Sequence, residues 1–188
     1  MPKQQKEKYM LIDDARIDAV CEAYFKWKDL NSAIKNINTR GINMPDVISE
    51  PMGCYSLGYL WNRGGAVGDA TNPKNNEKVE FKATSSFDGD LSSFGPKCQF
   101  DDLVFMRFKI DSNVVFIYDL HINSTDLGKY QANKQETIED QKEQGRRPHI
   151  RLKEMFVDAL DLKPTVIFDI RKIKVYKPTD KEYQAYIQ

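Results

Sequence analysis

The stretch Gly68–Thr84, which reads GDATNPKNNEKVEFKAT, decides how the middle of the chain folds. Runs of strand-forming residues at Val67–Thr71 and Lys78–Thr84 flank the linker Asn72–Glu77, which is rich in Asn and contains a proline. Turn-forming residues between two short β-prone runs predict a β-hairpin.

The register of this hairpin brings two carboxylates together. With the turn centred between Lys74 and Asn75, Asp69 lies opposite Glu80. Because like charges directly opposite each other destabilise a strand pair, a divalent cation is the natural compensation. Hard oxygen ligands suit Mg²⁺, which keeps several waters and also binds substrate phosphate. A register slip of one residue would break this pairing.

The second run of the hairpin has one apolar and one polar face, because side chains alternate along a strand. The apolar face, predicted to point into a core, consists of Val79, Phe81 and Ala83. The polar face consists of Glu80, Lys82 and Thr84. A lysine beside a bound ion can orient an attacking water or offset the charge that builds on a phosphate. By itself, a Glu-apolar-Lys triplet is common on amphipathic strands and usually marks a solvated face.

Elsewhere the hydrophobic pattern predicts helices early in the chain and strands later. The first helix begins at Asp13 or Asp14. A second helix is predicted at Leu30–Ile37, and a third starts at Pro45, runs through Glu50 toward Trp61 and ends at Gly64 and Gly65. Later helices are predicted at Ile150–Leu160 and from Thr179 onward. The segment Lys134–Gln144 is predicted to be a polar helix or a loop. Further strands are predicted at Leu103–Ile110, Val114–Leu120 and Val166–Tyr176. This order predicts an α/β or α+β layer fold in one domain, residues 1–188, with residues 1–10 flexible.

The composition limits the classes of function. Lys plus Arg and Asp plus Glu each total 28, which argues against a passive nucleic-acid coat but not against an enzyme whose acidic metal ligands offset basic DNA contacts. The three scattered cysteines lack zinc-site spacing and indicate reduced thiols in a cytoplasmic protein. Neither a signal peptide nor a membrane span is expected, since no apolar run approaches the required ~20 residues.

Asp69 followed by Glu80-Phe81-Lys82 resembles the signature of the PD-(D/E)XK nucleases, in which an Asp precedes Glu-X-Lys across a hairpin. The segments Arg40–Glu50 and Ser92–Pro96 resemble small type II restriction endonucleases, with a weaker similarity in Gln144–Pro148. Gly68 stands where the family name has Pro, at a position that varies within the superfamily.

The resemblance implies a PD-(D/E)XK fold, with a central mixed sheet flanked by helices. It implies Mg²⁺-dependent hydrolysis of double-stranded DNA, with Mn²⁺ able to substitute, at a short GC-rich palindrome of the GCNGC type. In this reading Asp69 and Glu80 hold the metal and Lys82 assists the nucleophile. Glu50 contacts the metal or its water, or else is a helix-surface carboxylate that stabilises the first turn.

The resemblance also implies partners. A palindromic site calls for a twofold-symmetric homodimer, and a cognate DNA methyltransferase is expected as the genetic partner. The aromatic residues Tyr24, Phe25 and Trp27 of the first helix are either dimer surface or core.

Two segments are candidates for DNA contacts. The loop after the catalytic strand offers Ser92, Ser93 and Lys97, and Asp88 or Asp90 can accept from cytosine N4; otherwise this is an ordinary polar loop. The densest basic stretch of the chain follows later and contributes Arg146, Arg147, His149 and Arg151, unless it is only a solvated face. Neither histidine, His121 nor His149, sits in a recognisable metal-ligand motif.

Two other functions stay open at the level of sequence. The first is a repair or junction-cleaving nuclease of the same superfamily, which would share the site but differ in its DNA. The second is a non-catalytic nucleic-acid- or protein-binding domain that keeps the fold.

Overall fold

Strands and helices alternate irregularly along the chain in the computed structural model, which describes residues 8–63 and 68–187. The strands are β1 Tyr9–Leu11, β2 Leu60–Asn62, β3 Ala70–Thr71, β4 Lys78–Thr84, β5 Ser92–Ser93, β6 Asp102–Lys109, β7 Val114–Asp119, β8 His149–Ile150, β9 Val166–Asp169 and β10 Lys174–Tyr176. The helices are α1 Asp14–Lys35, α2 Asp46–Leu57, α3 Ser124–Gly128, α4 Ile138–Glu143, a π-helix at Lys153–Asp158, and α5 Lys181–Ile187.

Eight strands form one mixed sheet in the order β1-β2-β3-β4-β6-β7-β9-β10, and β5 pairs with β8 in a separate two-stranded sheet. Within the large sheet, β4 and β6 run parallel, while the other neighbours are antiparallel. The predicted α/β class with a mixed sheet is therefore confirmed. In the described part of the chain, no helix has the length and apolar character to cross a membrane.

The central hairpin adopts the predicted register, with Ala70 opposite Val79 and Thr71 opposite Lys78. Its first strand is shorter than predicted, and Val67 lies outside the described residues. Asp69 sits just before this strand, where its backbone N–H donates to the Val79 carbonyl over 2.8 Å. The hairpin therefore carries Asp69 to the side of β4 that bears Glu80.

Helices α1 and α2 cover one face of the sheet. Ile17, Cys21 and Tyr24 recur at helical spacing on α1 and are buried in the same cluster as Val79 and Phe81. As predicted, Asp13 caps α1, its carboxylate accepting from the Arg16 N–H. The helix continues without a break to Lys35, because no helix-breaking residue separates the two segments that the sequence predicted.

The aromatic residues of α1 belong to the core and not to a dimer surface. Tyr24 is fully buried, and Trp27 is 5% exposed. Phe25 is partly buried and packs against the same cluster. Of the two alternatives predicted for these residues, the core is correct for Tyr24 and Trp27.

Helix α2 is shorter than predicted. It ends at Leu57, because Gly58 adopts a left-handed conformation with φ 73° that terminates the helix. The segment Leu60–Asn62, predicted as helix, is strand β2, and the predicted end at Gly64 and Gly65 lies outside the described residues. Pro45 caps the helix instead of occupying its first turn.

Gly53 lets α2 approach the sheet closely. A Cβ atom at this position would lie 2.7 Å from the Phe81 ring, nearer than real contacts allow. A larger residue would therefore push the helix away from β4. This close approach sets the distance between Glu50 on α2 and the polar residues of β4.

The second half of the chain contains further differences from prediction. The predicted strand Val166–Tyr176 is two antiparallel strands, because the Asp169 carboxylate accepts from the N–H groups of Arg171 and Lys172 and closes a turn. The predicted helix Ile150–Leu160 is the shorter π-helix, and α4 begins at a Thr137 capping box. The helical tail is confirmed by α5.

The N-terminal segment is only partly described. Tyr9 and Met10, which were predicted to be flexible, pair with β2 as part of β1. The Lys8 carbonyl accepts from the Arg63 N–H over 3.0 Å, and residues 1–7 lie outside the described residues.

Candidate active site

An open cleft of about 1120 Å³ lies where α2, the central hairpin and the loop after β4 meet. Four of the residues that line it are the predicted catalytic ones, namely Glu50, Asp69, Glu80 and Lys82. They come from three different elements: α2, the residue before β3, and β4. The fold thus brings together a set of residues that spans 33 positions of the sequence, from Glu50 to Lys82.

Each of the three predicted catalytic carboxylates accepts a hydrogen bond from a donor of the protein. Asp69 Oδ2 accepts from the Phe81 backbone N–H over 2.8 Å. Glu80 Oε1 accepts from Lys82 Nζ over 2.6 Å. Glu50 Oε2 accepts from the Trp61 indole N–H over 2.7 Å. These three hydrogen bonds orient the side chains of Glu50, Asp69 and Glu80 in the cleft.

The carboxyl groups repel one another in the metal-free protein. Burial, followed by the charges of Asp69, Asp46 and Glu80, raises the pKa of Glu50 to about 8, against the opposing hydrogen bond from Trp61. Burial and the charge of Glu80 likewise raise the pKa of Asp69 to about 6. Burial is the first cause of both shifts and the neighbouring carboxylates add to it, so a cation bound in the cleft would favour the charged forms of both groups.

Lys82 is the cationic member of the group. Its ammonium lies 5.0 Å from the centre of the Phe94 ring as well as beside Glu80. Burial lowers the pKa of Lys82, but Glu80 and Asp69 outweigh this effect, and the net shift is upward. Lys82 therefore stays charged at neutral pH.

The donor set fits a partly hydrated Mg²⁺. Carboxylate oxygens are the hard ligands that this ion prefers, and protein sites usually supply only one or two of them beside several waters. The oxygens of Glu50, Asp69 and Glu80 do not all lie within 4.8 Å of one another. Asp69, Glu80 and Glu50 would therefore hold such an ion together with water molecules, and the ion would supply Lewis-acid chemistry at the cleft.

Cys98 is a further member of the cleft that sequence reasoning missed. Its thiol hydrogen-bonds to Glu80, and burial, followed by Glu80, raises the thiol pKa to about 12. Nothing in the local sequence marks this cysteine, because it comes from the loop before β6.

A second group of possible metal ligands was also missed. Single atoms of Asp102, Asp119 and His121 lie within 4.8 Å of one another, and they are the one such group in the described residues. Burial and a hydrogen bond to Asp119 raise the pKa of Asp102 to about 7. Asp102 precedes Asp119 by 17 positions and His121 by 19, so no sequence motif connects it to the other two. They do not line the cleft.

Four of the seven predicted DNA contacts line the cleft: Ser92, Ser93, Arg147 and His149. The fold brings them together because β5 pairs with β8, with Ser93 opposite His149. Arg40 and Asn43 line the cleft as well, ahead of α2, and were not predicted as contacts.

The other three predicted contacts lie outside the cleft lining. Arg146 forms an ion pair with Glu136, and Arg151 forms one with Glu154 over 2.9 Å. Lys97 is exposed on the loop between β5 and β6. The structure therefore does not bring these three side chains to the carboxylates.

Asp90, one of the two residues predicted as an alternative base contact, lines the cleft and also makes structural contacts. Its two carboxylate oxygens accept from the backbone N–H groups of Leu152 and Lys153, at 2.8 and 3.0 Å. It thereby satisfies free donors at the start of the π-helix and ties the loop after β4 to that helix.

An acidic cleft with one charged lysine and a rim of hydroxyl and basic side chains, built on a mixed sheet, is the arrangement of a metal-dependent nuclease. Comparison with known proteins makes the class specific. Residues 12–159 match the family model described as Bsp6I restriction endonuclease, and the chain belongs to this family.

A curated relative supports the same assignment. The type II restriction enzyme Bsp6I of Bacillus sp. (strain RFL6) is 41% identical over 169 residues, which cover 90% of this chain and 97% of the relative. No solved structure matches the chain.

Proposed function

We propose that this chain is a type II restriction endonuclease that hydrolyses phosphodiester bonds of double-stranded DNA on a PD-(D/E)XK fold. The observation that carries the proposal is the convergence of Glu50, Asp69, Glu80 and Lys82 on one cleft, in a member of the Bsp6I family. The hairpin register, which sets Asp69 next to the Glu-Phe-Lys strand, supports the superfamily assignment.

The proposed roles follow from the contacts of each side chain. Asp69 and Glu80 bind Mg²⁺, or Mn²⁺ in its place, with Glu50 as a third and more distant carboxylate. When bound, the ion polarises the phosphate and lowers the pKa of a water. Lys82 lies beside Glu80, where its ammonium can orient the attacking water and stabilise charge that develops on the phosphate.

The rim of the cleft is the proposed DNA surface. His149 lies on the same small sheet as Ser92 and Ser93, and Arg147 precedes His149 by two positions. Basic and hydroxyl groups therefore face the cleft together. Arginine recognises phosphate or the guanine edge through its planar group, and the hydroxyls suit phosphate oxygens. We propose peripheral phosphate contacts for Lys97, Arg146 and Arg151. The two arginines would first have to leave their ion pairs with Glu136 and Glu154.

The resemblance to enzymes that cut GC-rich palindromes supports a site of the GCNGC type for this chain too. A palindromic site in turn supports a twofold-symmetric homodimer, in which each copy supplies one cleft to one DNA strand. We further propose a cytoplasmic protein with a cognate DNA methyltransferase as its genetic partner.

Digestion of unmethylated plasmid DNA with Mg²⁺ tests this function. We expect a fixed set of fragments whose sequenced ends share one short palindrome, and no cleavage when EDTA is present. The Asp69→Asn protein, purified in parallel, guards against a contaminating nuclease and should leave the plasmid intact. Cleavage confined to branched DNA, or no cleavage with either metal, would refute the restriction function.

A further inference from the structure

Trp61 makes a direct contact with a member of the proposed metal site. Its indole N–H donates to Glu50 Oε2 over 2.7 Å. The tryptophan belongs to β2, between Met10 of β1 and Ala70 of β3. Its backbone is therefore fixed by strand pairing on both sides, whereas Glu50 projects from a helix.

Glu50 needs such a contact more than the other two carboxylates do. Asp69 is bound by a backbone N–H and Glu80 by Lys82. Within the described part of the chain, the Trp61 indole is the one hydrogen-bond donor to the Glu50 side chain. Glu50 also lies close enough to Asp69 and Glu80 to be repelled by both. Without the indole, other rotamers that lead away from the cleft become favourable.

The bond also selects which oxygen faces the cleft. Because Oε2 is bound to the indole, Oε1 remains for a ligand or its water. A partner that fixes the orientation of a metal ligand commonly changes metal affinity 10–100-fold when it is removed.

We infer that Trp61 is a positioning residue that holds Glu50 toward the cation of the cleft. The inference rests on the proposed function only in so far as it requires a cation site at Glu50; it does not require that DNA be cut. It assigns a role to an aromatic residue that the sequence pattern marks only as a core residue.

The two tryptophans provide a matched pair of variants. Trp27 also donates its indole N–H, to the Asn43 carbonyl over 3.2 Å. Trp27, however, is a buried core residue of α1. Trp61→Phe and Trp27→Phe therefore each remove one indole hydrogen bond and keep an aromatic ring. Only the first removes it from Glu50.

The first test measures Mn²⁺ binding by titration calorimetry, without DNA. We expect Trp61→Phe to weaken binding about 10–100-fold and Trp27→Phe to leave it within about twofold. In a Glu50→Gln background, the effect of Trp61→Phe should vanish, since the two residues act through one bond. Unchanged Mn²⁺ affinity in a folded Trp61→Phe protein, or an equal loss in the Glu50→Gln background, would overturn the inference.

A second measurement leaves Trp61 in place, so it does not depend on the folding of the Trp61→Phe protein. In the Trp27→Phe protein, Trp61 is the sole tryptophan, and its emission should change when Mg²⁺ is added. The change should be absent after Glu50→Gln. If calorimetry shows that Mg²⁺ binds to this protein but the emission of Trp61 does not change, the inference is contradicted.

The cleavage assay distinguishes a failure of the proposed nuclease function from a failure of the proposed role of Trp61. If DNA is cut, Trp61→Phe should raise the Mg²⁺ concentration needed for half-maximal rate more than it lowers the rate at saturating Mg²⁺. If no DNA is cut while the Mn²⁺ results hold, the nuclease function fails and the role of Trp61 stands. If DNA is cut and the Mn²⁺ results fail, the role of Trp61 alone is wrong.

Discussion

Two groups of acidic residues in this protein invite opposite interpretations. The cleft carboxylates, Glu50, Asp69 and Glu80, are spread over three elements and do not meet within 4.8 Å. The β6–β7 cluster, Asp102, Asp119 and His121, does meet within that distance. On ligand spacing alone, the second group is the better metal site.

Their surroundings reverse that order. In the β6–β7 cluster, Asp102 hydrogen-bonds to Asp119, and Tyr59 also hydrogen-bonds to Asp119, so both carboxyl groups already have partners within the protein. The cleft carboxylates have a charged lysine and a basic rim, and they open onto a space large enough for a substrate. On access and charge the cleft is the better candidate for the catalytic site, and on ligand spacing the β6–β7 cluster is the better candidate for a metal site.

The largest expected effect comes from removing one carboxylate charge from each group. Asp69→Asn should lower the rate of DNA cleavage about 100-fold or more, because a metal ion contributes several kcal/mol to stabilising the transition state. Asp102→Asn, the matched control, should change the rate by less than about threefold. Initial rates on a supercoiled plasmid, with both proteins checked for folding by circular dichroism, measure the difference. If Asp102→Asn is the inactive protein, the assignment of the two groups must be exchanged.

The next effect concerns DNA binding by two adjacent arginines. Arg147 lines the cleft, whereas Arg146 is occupied by Glu136. Arg147→Ala should weaken binding to DNA that carries the cleavage site by about 5–150-fold, the range of a lost bidentate contact at 1–3 kcal/mol. Arg146→Ala should cost only a few-fold. Fluorescence anisotropy, with Ca²⁺ in place of Mg²⁺ and at fixed salt, measures the DNA affinity of both variants. Equal losses of affinity would show that the position of Arg147 in the cleft makes no difference to DNA binding.

Much of the cleft could be predicted from sequence because it depends on local rules. Turn residues at Asn72–Glu77 and alternation along β4 suffice to fix the hairpin register and to set Glu80 beside Lys82. The resemblance of flanking segments added Glu50. The α/β class follows from the order of periodic segments.

The remainder depends on contacts between distant segments, for which one sequence carries no signal. Gly58 ends α2 through a positive φ that the helical pattern does not reveal, and β2 follows where helix was expected. Strand pairing of β5 with β8 decides that Arg147 reaches the cleft, although its neighbour has the same chemistry. The Asp102–Asp119 pair likewise exists only because β6 and β7 are adjacent.

The smallest expected effect is on stability in the absence of metal, and it returns to the β6–β7 cluster. Because folding raises the pKa of Asp102 from its ordinary value of 3.8 to about 7, the folded protein binds more protons than the unfolded chain between these pH values. Stability from this group is therefore complete at low pH and is lost as pH rises toward 7. Asp102→Asn keeps a neutral, hydrogen-bonding side chain at every pH. Relative to the unchanged protein, its melting temperature should be similar or lower at pH 5 and a few degrees higher at pH 8. Thermal melts in EDTA at the two pH values measure this crossover, and a difference that does not change with pH would mean that folding does not raise the pKa of Asp102.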